Sequence, residues 1–302
     1  MDGVGAAERL LVAMFAKRQE LTAEVRRGLP GNFLELSAGF THYELQGDAD
    51  AETVVLIHGN AAPYVTWDRT TGALTGAGLR VLRYDLFGHG LSDRPRRRTY
   101  DRRFYNAQLE ELLQRLDISG PVHAVGTSQG GSIATCFASE KPGRVRRLAL
   151  LAPLFDEVPG SRGVAVRLIR TPVLGELLMR VLSDAKLADL SDAVVDVETR
   201  AALQPDVLEQ FRFRGKRRAI LANLRGDALQ DATACYQGVK DQRIPVLLMW
   251  GTLDQKLPPE PIGRLRNLLP DMEYHELEGA GHLAHYEFPE RVGPLLVRFL
   301  TN

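Results

Sequence analysis

The feature that most constrains the fold is a rhythm of short apolar, β-branched runs separated by stretches of helical length. The runs lie at 53–57, 80–84, 122–125, 148–151 and 246–250. A strand that is apolar at every position is buried on both faces, as in a parallel sheet with helices on either side. An earlier segment, 33–45, alternates more and reads as an antiparallel hairpin at one sheet edge. The expected class is α/β. A chain of 302 residues can form two small domains or one large domain with an insertion. The rhythm selects the second. From Pro153 to Lys240 no strand-like run occurs, and apolar residues recur at helical spacing, as at Leu174, Leu177, Leu178, Val181 and Leu182. The core is therefore expected at 1–152 and 241–302, with a helical cap at 153–240. A further helix is expected at about 6–28, ahead of the first strand.

Composition excludes several classes of function. With 38 basic and 38 acidic side chains the net charge is zero, which argues against a nucleic-acid partner. No uncharged apolar run reaches 18 residues, so no membrane span is expected. The apolar stretch at 10–16 follows Asp2 and Glu8 rather than a basic region, so it does not read as a secretory signal, and a cytoplasmic setting is expected. Cys136 and Cys235 are too few for a disulfide framework or a thiolate-rich zinc site, and are expected to be small core residues.

The segment Gly126-Thr127-Ser128-Gln129-Gly130 carries the chemistry. It follows a buried run and precedes a helix expected at 132–141. A serine on so tight a strand-to-helix turn projects its hydroxyl above the sheet, and flanking glycines remove the clashes such a turn creates. The N–H groups at the start of that helix point toward the same spot and can stabilise an oxyanion.

A serine hydroxyl needs a base. His282, in Gly279-Ala-Gly-His282, follows a strand-like segment in a glycine-flanked loop and is preferred to His285, which reads as a helix-start residue. His42, His89, His123 and His275 read as structural. The carboxylate that orients the base is expected to be Asp254, just past the C-terminal end of the run at 246–250, the edge where open α/β sheets place their sites. Asp156, after the run ending at 151, is an alternative. Asn60, in His58-Gly59-Asn60 directly after the first apolar run, is placed to supply one backbone oxyanion donor, and Gln129 the other. His58 reads as a brace for this loop.

Taken together, His58-Gly59-Asn60, Tyr84-Asp85-Leu86-Phe87-Gly88-His89-Gly90, Gly126-Thr-Ser-Gln-Gly130 and Gly279-Ala-Gly-His282 resemble segments of the α/β-hydrolase superfamily, in that family's order. The resemblance covers nearly the whole chain. It implies an eight-stranded, mostly parallel sheet with a helical cap that walls the pocket. Leu154, Phe155, Leu168 and Phe211 are the pocket-lining candidates it suggests. Haloalkane and fluoroacetate dehalogenases share the His-Gly-Asn segment but carry Asp as nucleophile, so Ser128 points away from dehalogenation. The nearest likeness is to capped serine esterases and to hydrolases of carbon–carbon bonds.

The expected activity is hydrolysis of a carboxylic ester through Ser128, His282 and Asp254, with no metal or organic cofactor. Carbon–carbon hydrolysis, thioester hydrolysis, acyl transfer and elimination are alternatives, and a ligand-binding module on the same fold is an alternative of another class. The expected partner is a small-molecule ester or related acyl compound. Two basic runs interrupt the neutral balance: six Arg among residues 94–103, and five basic residues among 212–218. They read as solvated surface, with docking of an acidic carrier protein as the functional alternative. The N-terminal helix is expected either to close the cap or to make a homodimer contact.

Overall fold

The computed structural model describes residues 18–156, 163–257 and 259–302. Eight strands form one sheet: β1 (Asn32–Leu36), β2 (Gly39–Gln46), β3 (Thr53–Ile57), β4 (Arg80–Tyr84), β5 (Val122–Thr127), β6 (Val145–Leu151), β7 (Val246–Gly251) and β8 (Glu273–Leu277). Their order is β1-β2-β4-β3-β5-β6-β7-β8. Only β2 runs against its neighbours, pairing antiparallel with β1 and β4, and every other pairing is parallel. The expected edge hairpin and mostly parallel sheet are both present.

The uninterrupted apolar runs have a direct physical cause. Val55 and Ile57 of β3 enter one core while Val54 and Leu56 enter the other, and β7 divides in the same way, with Leu248 and Trp250 opposite Leu247 and Met249. Side chains alternate across a strand, so a strand covered on both faces must be apolar at every position. Each fully buried Val or Leu contributes roughly 1.5–3 kcal/mol of transfer free energy. One face is covered by α3 (Arg102–Arg115) and α4 (Gln129–Glu140), the other by α2 (Asp68–Gly76) and the C-terminal helix Pro289–Thr301, while α1 (Ala23–Arg27) precedes the sheet.

Between β6 and β7 the described chain is helical: α5 (Val164–Arg170), α6 (Leu174–Val181), α7 (Asp184–Leu187), α8 (Val197–Glu209), α9 (Lys216–Arg225) and α10 (Thr233–Asp241). The last of these belongs with the sheet, because Tyr236 and Val239 pack in the main core. It is also covalently joined to α4. Cys136 and Cys235 form a disulfide across 99 residues of sequence, which corrects the expectation of two separate small core residues. Spacing alone cannot announce such a pair, since packing of α10 on α4 brings the two together. Among the described residues no helix is long and apolar enough to cross a membrane.

Residues 6–17 of the expected N-terminal helix lie outside the described residues. The segment from Arg18 onward is tied to the cap: Gln19 N–H donates to Arg212 O at 3.0 Å, Arg214 N–H donates to Gln19 O at 2.8 Å, and Arg18 pairs with Asp184 at 3.1 Å.

Candidate active site

Ser128 is the single residue between β5 and α4, with φ 54° and ψ −123°. A non-glycine residue there carries strain of about 1–3 kcal/mol and needs firm support on both sides. Its N–H donates to Leu151 O at 3.0 Å, and its carbonyl accepts from Gly131 and Leu154 at 3.0 and 2.9 Å. The flanking glycines are required sterically. A Cβ on Gly126 would stand 2.4 Å from Gly130 O, and one on Gly130 would stand 2.2 Å from Ile57 O. The helix starts at Gln129, three residues before the expected start, because the glycines continue the helix rather than precede it.

His282 and Asp254 arrive from neighbouring strands, on the loops after β8 and β7. The imidazole Nδ1–H donates to Asp254 Oδ2 at 2.8 Å, and both side chains are buried. The other carboxylate oxygen accepts the N–H groups of Lys256 and Leu257 at 2.8 and 2.9 Å. The carboxylate is thus held from both sides and fixes the tautomer, which leaves His282 Nε2 as the lone-pair end. Nε2 is buried with no hydrogen-bond partner among the described residues, and no hydrogen bond joins it to Ser128. Asp156, the alternative acid, pairs with Arg264 instead. His285 lies in the short helix α11 (Ala284–Glu287), buried against Trp67 with ring centroids 4.1 Å apart. Burial, reinforced by His282, lowers it to about 3.

The loop after β3 is braced as expected. His58 Nδ1–H donates to Gly59 O at 2.7 Å, and Nε2 accepts Leu86 N–H at 2.9 Å, the pattern of a neutral ring. Burial holds its pKa below the usual histidine range. Behind it, Asp85 accepts from His42 and from the Tyr64 and Leu91 amides. Burial pushes this carboxyl up, but those bonds and the nearby imidazoles outweigh it and bring it down to about 2. The backbone N–H groups of Asn60 and Gln129 donate to no other described backbone group.

A polar cluster that sequence reasoning missed joins these two residues. Asn223 of α9 donates to Asn60 Oδ1 at 3.0 Å and to Gln129 Oε1 at 2.9 Å, and accepts from Gln129 Nε2 at 2.9 Å and from the Tyr105 hydroxyl at 3.2 Å. His89, expected to be purely structural, approaches Asn60 Oδ1 at 3.3 Å through Nε2. The polar side chain of Gln129, directly after the candidate nucleophile, is the signal the sequence offers. Nothing about Asn223 in its own segment marks it.

A model of the alpha/beta hydrolase family matches residues 54–294, from β3 into the C-terminal helix. The chain belongs to that family. It is 31% identical to a 2-hydroxy-6-oxononadienedioate/2-hydroxy-6-oxononatrienedioate hydrolase of Paraburkholderia phymatum, over 86% of this chain and 90% of the relative. Its fold is similar to that of an enol-lactonase from Burkholderia xenovorans LB400, with TM-score 0.72 and 22% identity over 90% of this chain and 100% of the other. It is also similar to that of a meta-cleavage product hydrolase from Pseudomonas fluorescens IP01, with TM-score 0.70 and 22% identity over 90% and 97% of the two chains.

In this hydrolase the pocket candidates fare unequally. Leu154 and Phe155 are buried in the main core, with Leu154 bonded through its N–H to Ser128 O. Phe211 belongs to the apolar cluster in which cap residues Leu190, Val194 and Leu203 meet Ala62 and Leu283, beside the Asn60 and His282 loops. Leu168 is 45% exposed on α5. The cap also grips the His282 loop, since Leu283 N–H donates to Ala193 O at 3.0 Å and Glu287 accepts from both Gly281 and Val195.

The basic runs of the hydrolase are only partly solvated surface. Arg94 and Lys216 are buried and donate to backbone carbonyls of the turn at 88–92. Burial pulls both below their ordinary pKa ranges. Arg96, Arg97, Arg98 and Arg218 line two grooves of about 510 and 350 Å³ that share Arg218, and the first three are exposed.

Proposed function

We propose that this hydrolase attacks an acyl carbon with Ser128, with His282 as general base and Asp254 holding the imidazole. The observation that carries the reading is the combination of a strained, well-supported serine with a histidine whose Nδ1 is taken by a doubly anchored carboxylate. His282 Nε2 takes the Ser128 proton as the hydroxyl attacks. Asp254 stabilises the imidazolium, and the backbone N–H groups of Asn60 and Gln129 receive the oxyanion. His282 then gives its proton to the leaving group, and water attacks the acyl-enzyme to release the acid.

Two leaving groups fit this sequence of steps. An alkoxide leaves from a carboxylic ester, and a stabilised carbanion leaves from a vinylogous diketone. The first needs only the geometry described above. The second draws support from the likeness to a 2-hydroxy-6-oxononadienedioate hydrolase. Purified enzyme assayed with a 2-hydroxy-6-oxo-dienoate and with a series of p-nitrophenyl esters decides between them by kcat/KM. An activated-serine phosphonate must label the wild type and not Ser128→Ala, and a wild type that neither labels nor turns over either class sinks the proposal.

A further inference from the structure

We propose that Asn223 is a positioning residue for both oxyanion donors, so that the oxyanion site is complete only when cap helix α9 is seated. The inference rests on the roles given above to Ser128, Asn60 and Gln129.

A carboxamide has two N–H donors and two acceptor lone pairs. Asn223 uses all four: its donors go to Asn60 and Gln129, and its acceptors receive Gln129 and the Tyr105 hydroxyl. Asn223 is 1% exposed, while Gln129 and Tyr105 are fully buried. Within the buried Asn223–Gln129 pair, turning either amide over alone sets like groups against each other where burial leaves little water to relieve them. The two residues clamped by Asn223 are those whose backbone N–H groups face the proposed oxyanion. Asn60 sits on the loop after β3 and Gln129 at the first turn of α4, and among the described residues no direct hydrogen bond joins their side chains. Asn223 is the bond they share.

Its own position is set by the cap's contact with the core. Tyr100 N–H donates to Ala222 O at 2.9 Å, and Ala219 and Ala222 pack into the main core. Displacing α9 would withdraw Asn223 from the Asn60 loop and the start of α4 at once. The donors bind the tetrahedral state more strongly than the ground-state carbonyl, so loosening them lowers kcat and leaves KM nearly unchanged.

The test uses the full-length enzyme, a small p-nitrophenyl ester and a p-nitrophenyl phosphonate. Asn223→Leu is expected to lower kcat and the phosphonylation rate by about 10- to 100-fold, with KM moving less than about threefold. Adding Gln129→Leu should reduce kcat little further, since both changes break one network. Asn223→Asp keeps the shape but sets an acceptor against the Asn60 and Gln129 oxygens, so it should lower kcat at least as far, and it serves if Asn223→Leu does not fold. A folded variant with wild-type kcat, or a loss carried wholly by KM, overturns the inference while leaving Ser128 as nucleophile. A wild type inert to both reagents overturns the underlying reading and the inference together.

Discussion

The site has two halves built on different principles. Ser128, Asp254 and His282 sit on loops at the ends of β5, β7 and β8, where strand pairing within one sheet fixes the spacing of the loops. The other half, Asn223, Phe211 and the 193–196 segment, comes from helices and connecting segments between β6 and β7, outside the sheet. The first half is held by backbone hydrogen bonds and obligatory glycines, so its geometry comes from local sequence. The second is held by side-chain packing, amide pairing and single backbone bonds such as Leu283 N–H to Ala193 O, all of which depend on how the helical insertion lies on the core. Bond making and breaking are therefore expected to reside in the sheet half, while the cap half supplies selection through Phe211 and support for the oxyanion donors through Asn223.

The sharpest break of that contrast is Ser128→Ala, which should reduce kcat by about 10⁴-fold or more and leave unfolding unchanged. Asp254→Asn is expected to come next at roughly 10³- to 10⁴-fold, with His282 held in the wrong tautomer, and steady-state kinetics on one ester compare the two directly. Phe211→Ala probes the opposite half. It should destabilise by about 3–5 kcal/mol in urea unfolding and raise KM more than it lowers kcat. An equal fall in kcat would place Phe211 with the chemistry rather than with selection.

The disulfide tests the link between nucleophile helix and returning chain. Replacing Cys136 and Cys235 together by Ala should cost about 2–4 kcal/mol of stability, with kcat near wild type at low temperature. Acid should act through the buried histidines. His285 has a folded pKa near 3, against about 6.5 when unfolded, so the unfolded chain takes up a proton that the folded one refuses. Its contribution is complete above about pH 6.5 and declines as pH falls toward 3, by at most about 1.4 kcal/mol per unit. Unfolding curves at pH 7.5 and 4.5 should differ less for His285→Phe than for wild type. The smallest effect belongs to the exposed arginines. Reversing Arg96, Arg97 and Arg98 to Glu should leave small-ester turnover within about twofold, and selective loss with a carrier-bound substrate would give these grooves a docking role.

Much of the fold is legible in the chain because a two-sided parallel strand writes itself as an unbroken apolar run. Strands 53–57 and 80–84 coincide with β3 and β4 for that reason. Edge elements are harder to read, since β8 is partly exposed and mixes Glu and His with its apolar residues. The contact of His89 with Asn60 escapes the sequence because its segment shows only a glycine-rich turn, while the contact depends on how two loops pack. Leu168 is 45% exposed, which its helical periodicity does not reveal, because an apolar stripe does not report what covers it.

The sequence by itself determined the layered α/β architecture, the strained turn at Ser128 and the loop ends that carry Asp254 and His282. The turn follows from local backbone sterics, and the strands announce themselves as apolar runs whose pairing in one sheet sets the loop ends side by side, even where the paired strands are as far apart in the chain as β6 and β7. Only the tertiary structure decided that Cys136 meets Cys235, that Lys216 and Arg94 are buried, and that Asn223 reaches Asn60 and Gln129. Those contacts join residues far apart in the chain through the docking of whole helices, and no period, spacing or propensity within one segment encodes where another helix will lie.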